Sequence, residues 1–272
     1  MVFLSFGAGV QSSVLLMMGL RGEIERPDSV LWSDTGFESE AVYAHVEWAE
    51  RQCKKHKMPF YRVKAKQTLK ESFEEFEKGD RAEWSLHPPL FSKFNGKTGP
   101  LHRNCTRDVK ITPLRRKQIE LLGYRSSRGI PDGAAVIQLG FSIDEAQRAS
   151  PSTESWADLS FPLIDPLKMS RVDCQSWWDD HYPHVNLPSS SCVICPYKTR
   201  KMWAQMSKSS PGDFAVALEY DERIRDAYKS RSKGREVFIH PDMVPLKEAI
   251  MRDDQYEMDL DDGVYCAGGC GL

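Results

Sequence analysis

From Val2 to Leu139 short apolar runs alternate with longer stretches whose apolar positions recur at helical spacing. Val2 to Phe6 reads as a buried strand, Gly7-Ala8-Gly9 as a turn, and Val10 to Leu20 as a helix apolar enough to be buried all round. Ser29 to Trp32 is a second strand and Phe60 to Val63 a third. Between them, Ala41, Val42, Val46, Ala49 and Cys53 keep a period near 3.6 and predict a helix over Glu38 to His56. A further helix is expected from about Gln67 to Glu77, then a long Pro/Gly/aromatic loop to Leu101, a helix over Ile111 to Leu122 ended by Gly123, and a fourth strand over Ala134 to Leu139.

Strands alternating with helices predict an α/β fold, a Rossmann-like parallel sheet flanked by helices, with ligands beyond the carboxyl ends of the strands. Beyond residue 165 the strand pattern stops, and Ser170 to His181, Lys198 to Lys208 and Pro211 to Ser230 read as helices. The expected organisation is therefore a nucleotide-binding domain over 1–165 and a helical C-terminal elaboration over 166–272.

Two turns carry candidate chemistry. In Ser5-Phe6-Gly7-Ala8-Gly9-Val10-Gln11-Ser12-Ser13, small residues let backbone N–H groups curl around a phosphate at a helix N-terminus, and Ser12 and Ser13 add hydroxyl donors. No Gly-Lys-Ser/Thr follows, which excludes a Walker A loop, and the third glycine of a dinucleotide fingerprint is missing. The second turn, Ser33-Asp34-Thr35-Gly36, closes strand two where an adenosine pocket is expected.

Composition narrows the class. With 40% hydrophobic and 28% charged residues the chain is a globular one, and a net charge of −2 leaves any attraction to nucleic acid local. One local candidate exists: Arg103 to Arg128 carries eight basic residues against Asp108 and Glu120. Seven cysteines, with no leader-like or membrane-spanning apolar run, predict a cytoplasmic protein using its thiols for metal or redox chemistry.

The glycine turn joined to Asp34-Thr35-Gly36 and the following Glu38 and Glu40 resembles the PP-loop ATP pyrophosphatase superfamily, in its phosphoadenosine phosphosulfate reductase-like branch. Against that loop's usual Ser-Gly-Gly-x-Asp-Ser, this chain has Gly7, Ala8 and Gly9, then Gln11 in place of the aspartate, then Ser12. Further segments extend the resemblance to a group of phage and bacterial PP-loop proteins. These are Asn104-Cys105-Thr106-Arg107 with Lys110, Leu139-Gly140-Phe141-Ser142 leading to Arg148, Cys192-Val193-Ile194-Cys195-Pro196, and Cys266 to Gly271. The Cys270-Gly271-Leu272 ending is similar to the catalytic tail of sulfonucleotide reductases.

The resemblance implies an adenine nucleotide, ATP or an adenylyl nucleotide with magnesium as candidate companion, bound by Ser5, Gly7, Ala8, Gly9, Gln11, Ser12, Ser13, Asp34, Thr35, Gly36, Gly140 and Arg148. Cys192-x-x-Cys195 alone suits zinc, iron–sulfur or a dithiol. With Cys105 as third ligand it matches the arrangement of PP-loop thiolation enzymes, which hold a 4Fe–4S cluster with one iron open; a four-cysteine zinc or iron–sulfur site completed by Cys266 or Cys270, or no metal at all, are the alternatives. Cys266, Cys270, Arg107 and Lys110 are the candidate catalytic residues. Candidate partners are a sulfur donor, a nucleic-acid substrate on the Arg103–Arg128 segment, and a second copy in a homodimer, with no membrane. Two activities follow, adenylation with sulfur transfer and sulfonucleotide reduction, beside a non-catalytic nucleotide- or metal-binding role. Cys53 and Cys174, with Trp177, Trp178 and Trp203, are expected in the core.

Overall fold

A computed structural model describes residues 1–232 and 234–251 of the chain. Five strands form one parallel sheet in the order β3-β2-β1-β6-β7: β1 (Val2–Ser5), β2 (Ser29–Asp34), β3 (Phe60–Lys64), β6 (Ala135–Leu139) and β7 (Ala157–Ser160). The chain builds outward from β1 through β2 to β3, then returns to place β6 on the other side of β1. Strand order therefore reverses beside β1, the place where an open α/β sheet offers a crevice. The Rossmann-like expectation is met.

Alternation along the strands sends Leu4, Val30 and Trp32 to one face and Phe3, Leu31, Ile137 and Leu139 to the other. The first face packs on α1 (Val10–Arg21), α2 (Glu40–Lys55) and α5 (Arg171–His181), with Cys53, Cys174 and Trp178 in that core as expected. Burial pushes both thiols up to about 12. The second face is covered by α4 (Thr112–Leu121), which leans on β2 and β3. α1 is buried from Val10 to Leu20 and stops at Gly22, whose left-handed backbone lets its N–H reach the last carbonyls.

A third apolar cluster lies beyond the sheet. It joins α3 (Leu69–Lys78) to α6 (Arg200–Ser209) and α7 (Pro211–Arg231) through Phe73, Phe76, Trp203, Tyr220 and Ile224. α3 begins with a complete capping box between Thr68 and Glu71.

Strand content exceeds the expectation in three places. β7 adds a fifth parallel strand. The expected long loop before Leu101 contains a hairpin, β4 (Phe91–Phe94) and β5 (Lys97–Pro100), turned on Asn95 and Gly96, both at positive φ. Beyond residue 165, β8 (Glu236–Phe238) pairs antiparallel with β4, so strands do not end there, and α8 (Leu246–Ala249) follows. Among the described residues no helix is long and apolar enough to cross a membrane.

His45 of α2 ties the first layer together. It is 4% exposed, its Nε2 meets Ser13 Oγ of α1 at 2.8 Å, and it stacks on Trp48. Burial pushes its pKa down to about 4. The unfolded chain therefore takes up this proton more readily than the folded one. The stability His45 provides is complete above pH 6.5 and falls away as pH drops through 4, a change of about 3 kcal/mol. Urea unfolding at about pH 7 and pH 4.5 is expected to show this loss, and His45→Phe to show a smaller one; an unchanged pH dependence in the variant would contradict the assignment.

Candidate functional site

The glycine turn is held by its own side chains. Gly7 N–H donates to Ser12 Oγ at 3.2 Å, and that hydroxyl donates to Gly9 O at 3.2 Å. Ala8 between them has φ +57°, a conformation that costs a non-glycine residue energy and needs surrounding structure to hold it. Gly9 then starts α1 with extended backbone and no side-chain cap, which leaves the first helical N–H groups for another acceptor. Ser190 lies over the turn so closely that a Cβ on Gly9 would stand 2.9 Å from its Oγ.

The first turn of α1 is also pressed from below. A Cβ on Gly140, just past β6, would lie 2.8 Å from Ser12 N and 3.1 Å from the Gln11 carbonyl carbon. The approach lets Gln11 Nε2 donate to Glu145 Oε2 at 2.9 Å, while Arg148 bonds the other carboxylate oxygen and lies over the Phe141 ring. Burial raises the Glu145 pKa, against the pull of Arg148. Gln11 and Arg148, both expected at the nucleotide, are thus bonded into a clamp around Glu145, a partner 134 residues from Gln11. Ser13 turns into the core toward His45 rather than into the turn.

At the carboxyl ends of β1 and β2 a crevice is lined by Ser5, Gly7, Ser33, Glu38, Lys110 and Ser190, among others. The Asp34–Gly36 turn follows β2 and is tied into the protein by three bonds. Asp34 Oδ1 accepts from Gly36 N at 2.8 Å and from Tyr43 Oη at 2.9 Å, and Thr35 Oγ1 donates to Glu38 at 2.8 Å. Gly36 has φ +80° and packs against Thr68, where a Cβ would find only 2.7 Å.

Beside the crevice is a hollow lined by Cys105, Cys192 and Cys195 together with Thr35, Arg103 and Lys110. Two long-range bonds bring it together. Ser33 Oγ donates to Val109 O at 2.7 Å, fixing a π-helical turn over Thr106–Ile111 that Cys105 begins, and Val193 N donates to Phe37 O at 2.7 Å, fixing the Cys192–Cys195 turn. Cys192 Sγ lies 3.4 Å from Thr35 Oγ1 and 3.7 Å from Glu38 Oε1. Lys198, a residue the sequence reading did not single out, donates to Cys192 O from a buried position over Trp203.

Electrostatics follow from this packing. Burial and the nearby Glu38 push the Cys192 thiol up to about 12, against Lys110. Burial likewise raises Cys105, offset in part by Lys110 and Arg103. Burial opposes the charge on Lys110, but Glu38 and the thiols outweigh it and hold its pKa above the ordinary lysine value. Lys198, with burial dominant, is lowered.

The structure therefore brings the three expected cysteines to one hollow, with Ser5, Gly7 and Lys110 at the adjoining crevice. Arg107 is elsewhere: its side chain is 71% exposed and forked onto Asp108. Arg115 and Lys117 of the basic segment are paired with Glu154 and Glu120, while Arg125 and Arg128 are exposed. Cys266 and Cys270 lie outside the described residues. Among the described residues no three His, Cys, Asp or Glu side chains form a set able to hold a metal ion. No protein family matches the chain, and no curated protein is similar to it.

Gly140→Ala is expected to cost about 1–3 kcal/mol in urea unfolding, because its Cβ meets backbone rather than a yielding side chain. Gly212→Ala, with open space around its Cβ, is the control and should be neutral or mildly stabilising. Equal effects at the two positions would contradict the close approach.

Proposed function

We propose that this chain is a cytoplasmic PP-loop enzyme that binds an adenine nucleotide with its phosphates at the glycine turn and performs sulfur chemistry at the adjoining cysteine hollow. The observation that carries the reading is the sharing of Lys110 by both places: it lines the crevice at the turn and the hollow of Cys105, Cys192 and Cys195. A phosphate at the turn receives N–H groups from the uncapped start of α1 and the charge of Lys110. The five described cysteines are all free, which accords with a reducing compartment.

In this reaction a carbonyl oxygen of an acceptor attacks the α-phosphorus of ATP, and the bond to the leaving pyrophosphate breaks. A sulfur nucleophile then adds to the acceptor carbon, and AMP departs with the oxygen. Lys110 offsets the charge that develops on the phosphate oxygens in the first step. Gln11, which has no charge and donates to Glu145, holds the turn. Arg107 has no part in this scheme.

Three soft thiols from two separate segments are the donor set that an iron–sulfur cluster takes. Cys105, Cys192 and Cys195 line one hollow without standing as a ready-made metal-ion set, so they would have to draw together on a 4Fe–4S cluster to hold it, and the cluster would supply one iron without a protein ligand. The same neighbourhood of thiols and nucleotide suits reduction of a sulfonucleotide, in which two thiols give up two electrons and become a disulfide while sulfite and the desulfonated nucleotide leave.

Anaerobic purification of the full chain is expected to give a brown protein with about four iron and four sulfide per chain, lost in Cys105→Ala. A colourless protein with stoichiometric zinc would replace the cluster by the zinc site. For the reaction, ATP-dependent pyrophosphate release with nucleobase and tRNA acceptors is expected to fall about a hundredfold or more in Lys110→Ala. Sulfite formed from a sulfonucleotide, without pyrophosphate, would shift the assignment to reduction.

A further inference from the structure

On the far side of Ser5 and Leu114 from the crevice, a cavity of about 240 Å³ opens between α4 and the sheet. Ile137, Leu139 and Leu159 line it from β6 and β7, and Ile111, Leu114 and Gln118 from the helical side. The segment Ser150 to Glu154 forms its rim, pinned by Arg115, whose guanidinium reaches Glu154 Oε1 at 2.9 Å and Thr153 Oγ1 at 3.1 Å. Gln118 is 1% exposed, yet its Oε1 accepts no hydrogen bond. An unmet buried acceptor costs stability, so an amide kept at a cavity wall points to a ligand donor.

We propose that this cavity receives the base of the nucleotide, with the Gln118 amide reading an adenine edge. The proposal rests on the phosphates lying at the glycine turn. Ser5 and Leu114 line both crevice and cavity, so a ligand with phosphates at the one can place its base in the other. Size favours that side: the crevice offers about 40 Å³, the cavity about 240 Å³. The Asp34–Gly36 turn, expected from sequence to receive adenosine, has Asp34 Oδ1 and the Thr35 hydroxyl already engaged within the protein. A glutamine amide offers one acceptor beside one donor, which matches the amino group and N7 of adenine, whereas the corresponding guanine edge presents two acceptors.

Calorimetric titration of the full chain with magnesium and ATP, GTP or tripolyphosphate tests this. Wild type should bind ATP about tenfold or more tighter than GTP. Gln118→Leu should lose that preference while binding tripolyphosphate unchanged, with an unfolding midpoint equal to or above wild type because the unmet amide is gone. Leu159→Phe, which fills the cavity from β7, should weaken ATP without weakening tripolyphosphate. Tripolyphosphate binding together with ATP binding indifferent to both variants would overturn the base site and leave the phosphate site standing. Absence of binding by both ATP and tripolyphosphate would overturn both.

Discussion

The backbone of Gly140 against the first turn of α1 is the contact on which the site depends. Parallel pairing aligns Leu139 with Ser5, so the chain leaving β6 arrives level with the glycine turn. Only a residue without a Cβ can follow it there, and the contact draws Gln11 onto Glu145 and Ser142 while Ser190 closes the opposite side. A turn with Ala8 at φ +57° would relax without such enclosure. Held this way, the uncapped helix start faces a fixed crevice instead of a mobile loop.

Two sets of buried charge surround that turn, and they differ in balance. Around Glu145 the charges close on one another: Gln11 and Arg148 take its two oxygens, and Arg148 spreads over Phe141. Around the cysteine hollow, Lys110 faces Glu38 and the cysteines, and Lys198 is tied to Cys192 O, with Glu38 the carboxylate beside Cys192. Holding lysines in such a hollow opposes burial, and on the proposed reading the arrangement serves to receive anionic groups. The first set is architecture; the second is where the proposed reading places phosphate and thiolate.

How much of this was legible depends on how far each signal reached along the chain. Four parallel strands were visible as apolar runs, but β7, Ala157-Asp158-Leu159-Ser160, alternates with polar residues at the sheet edge and carries no run. The β4–β5 hairpin was available in Asn95-Gly96, a strong turn signal hidden by the surrounding prolines and glycines. The cysteines could be grouped because C-x-x-C is local and Cys105 has basic neighbours. Ser12 and Ser13 could not be separated, since adjacent helical residues point in different directions: one closes the turn and the other meets His45. Glu145 and Gln118 were beyond reach, as their meaning comes from partners present or missing in space.

Seen together, the hollow, the crevice and the cavity form a row with shared walls, Lys110 between the first two and Ser5 with Leu114 between the last two. A nucleotide with its base at the Gln118 end places its phosphates against Lys110, facing the cysteines. The cavity mouth is narrowed by the Ser150–Glu154 segment that Arg115 pins. In the proposed reaction the acceptor approaches from the cysteine side. Lys110 lies between the hollow and the crevice, so on the proposed reading its charge acts both where the bond to pyrophosphate breaks and where the sulfur nucleophile arrives.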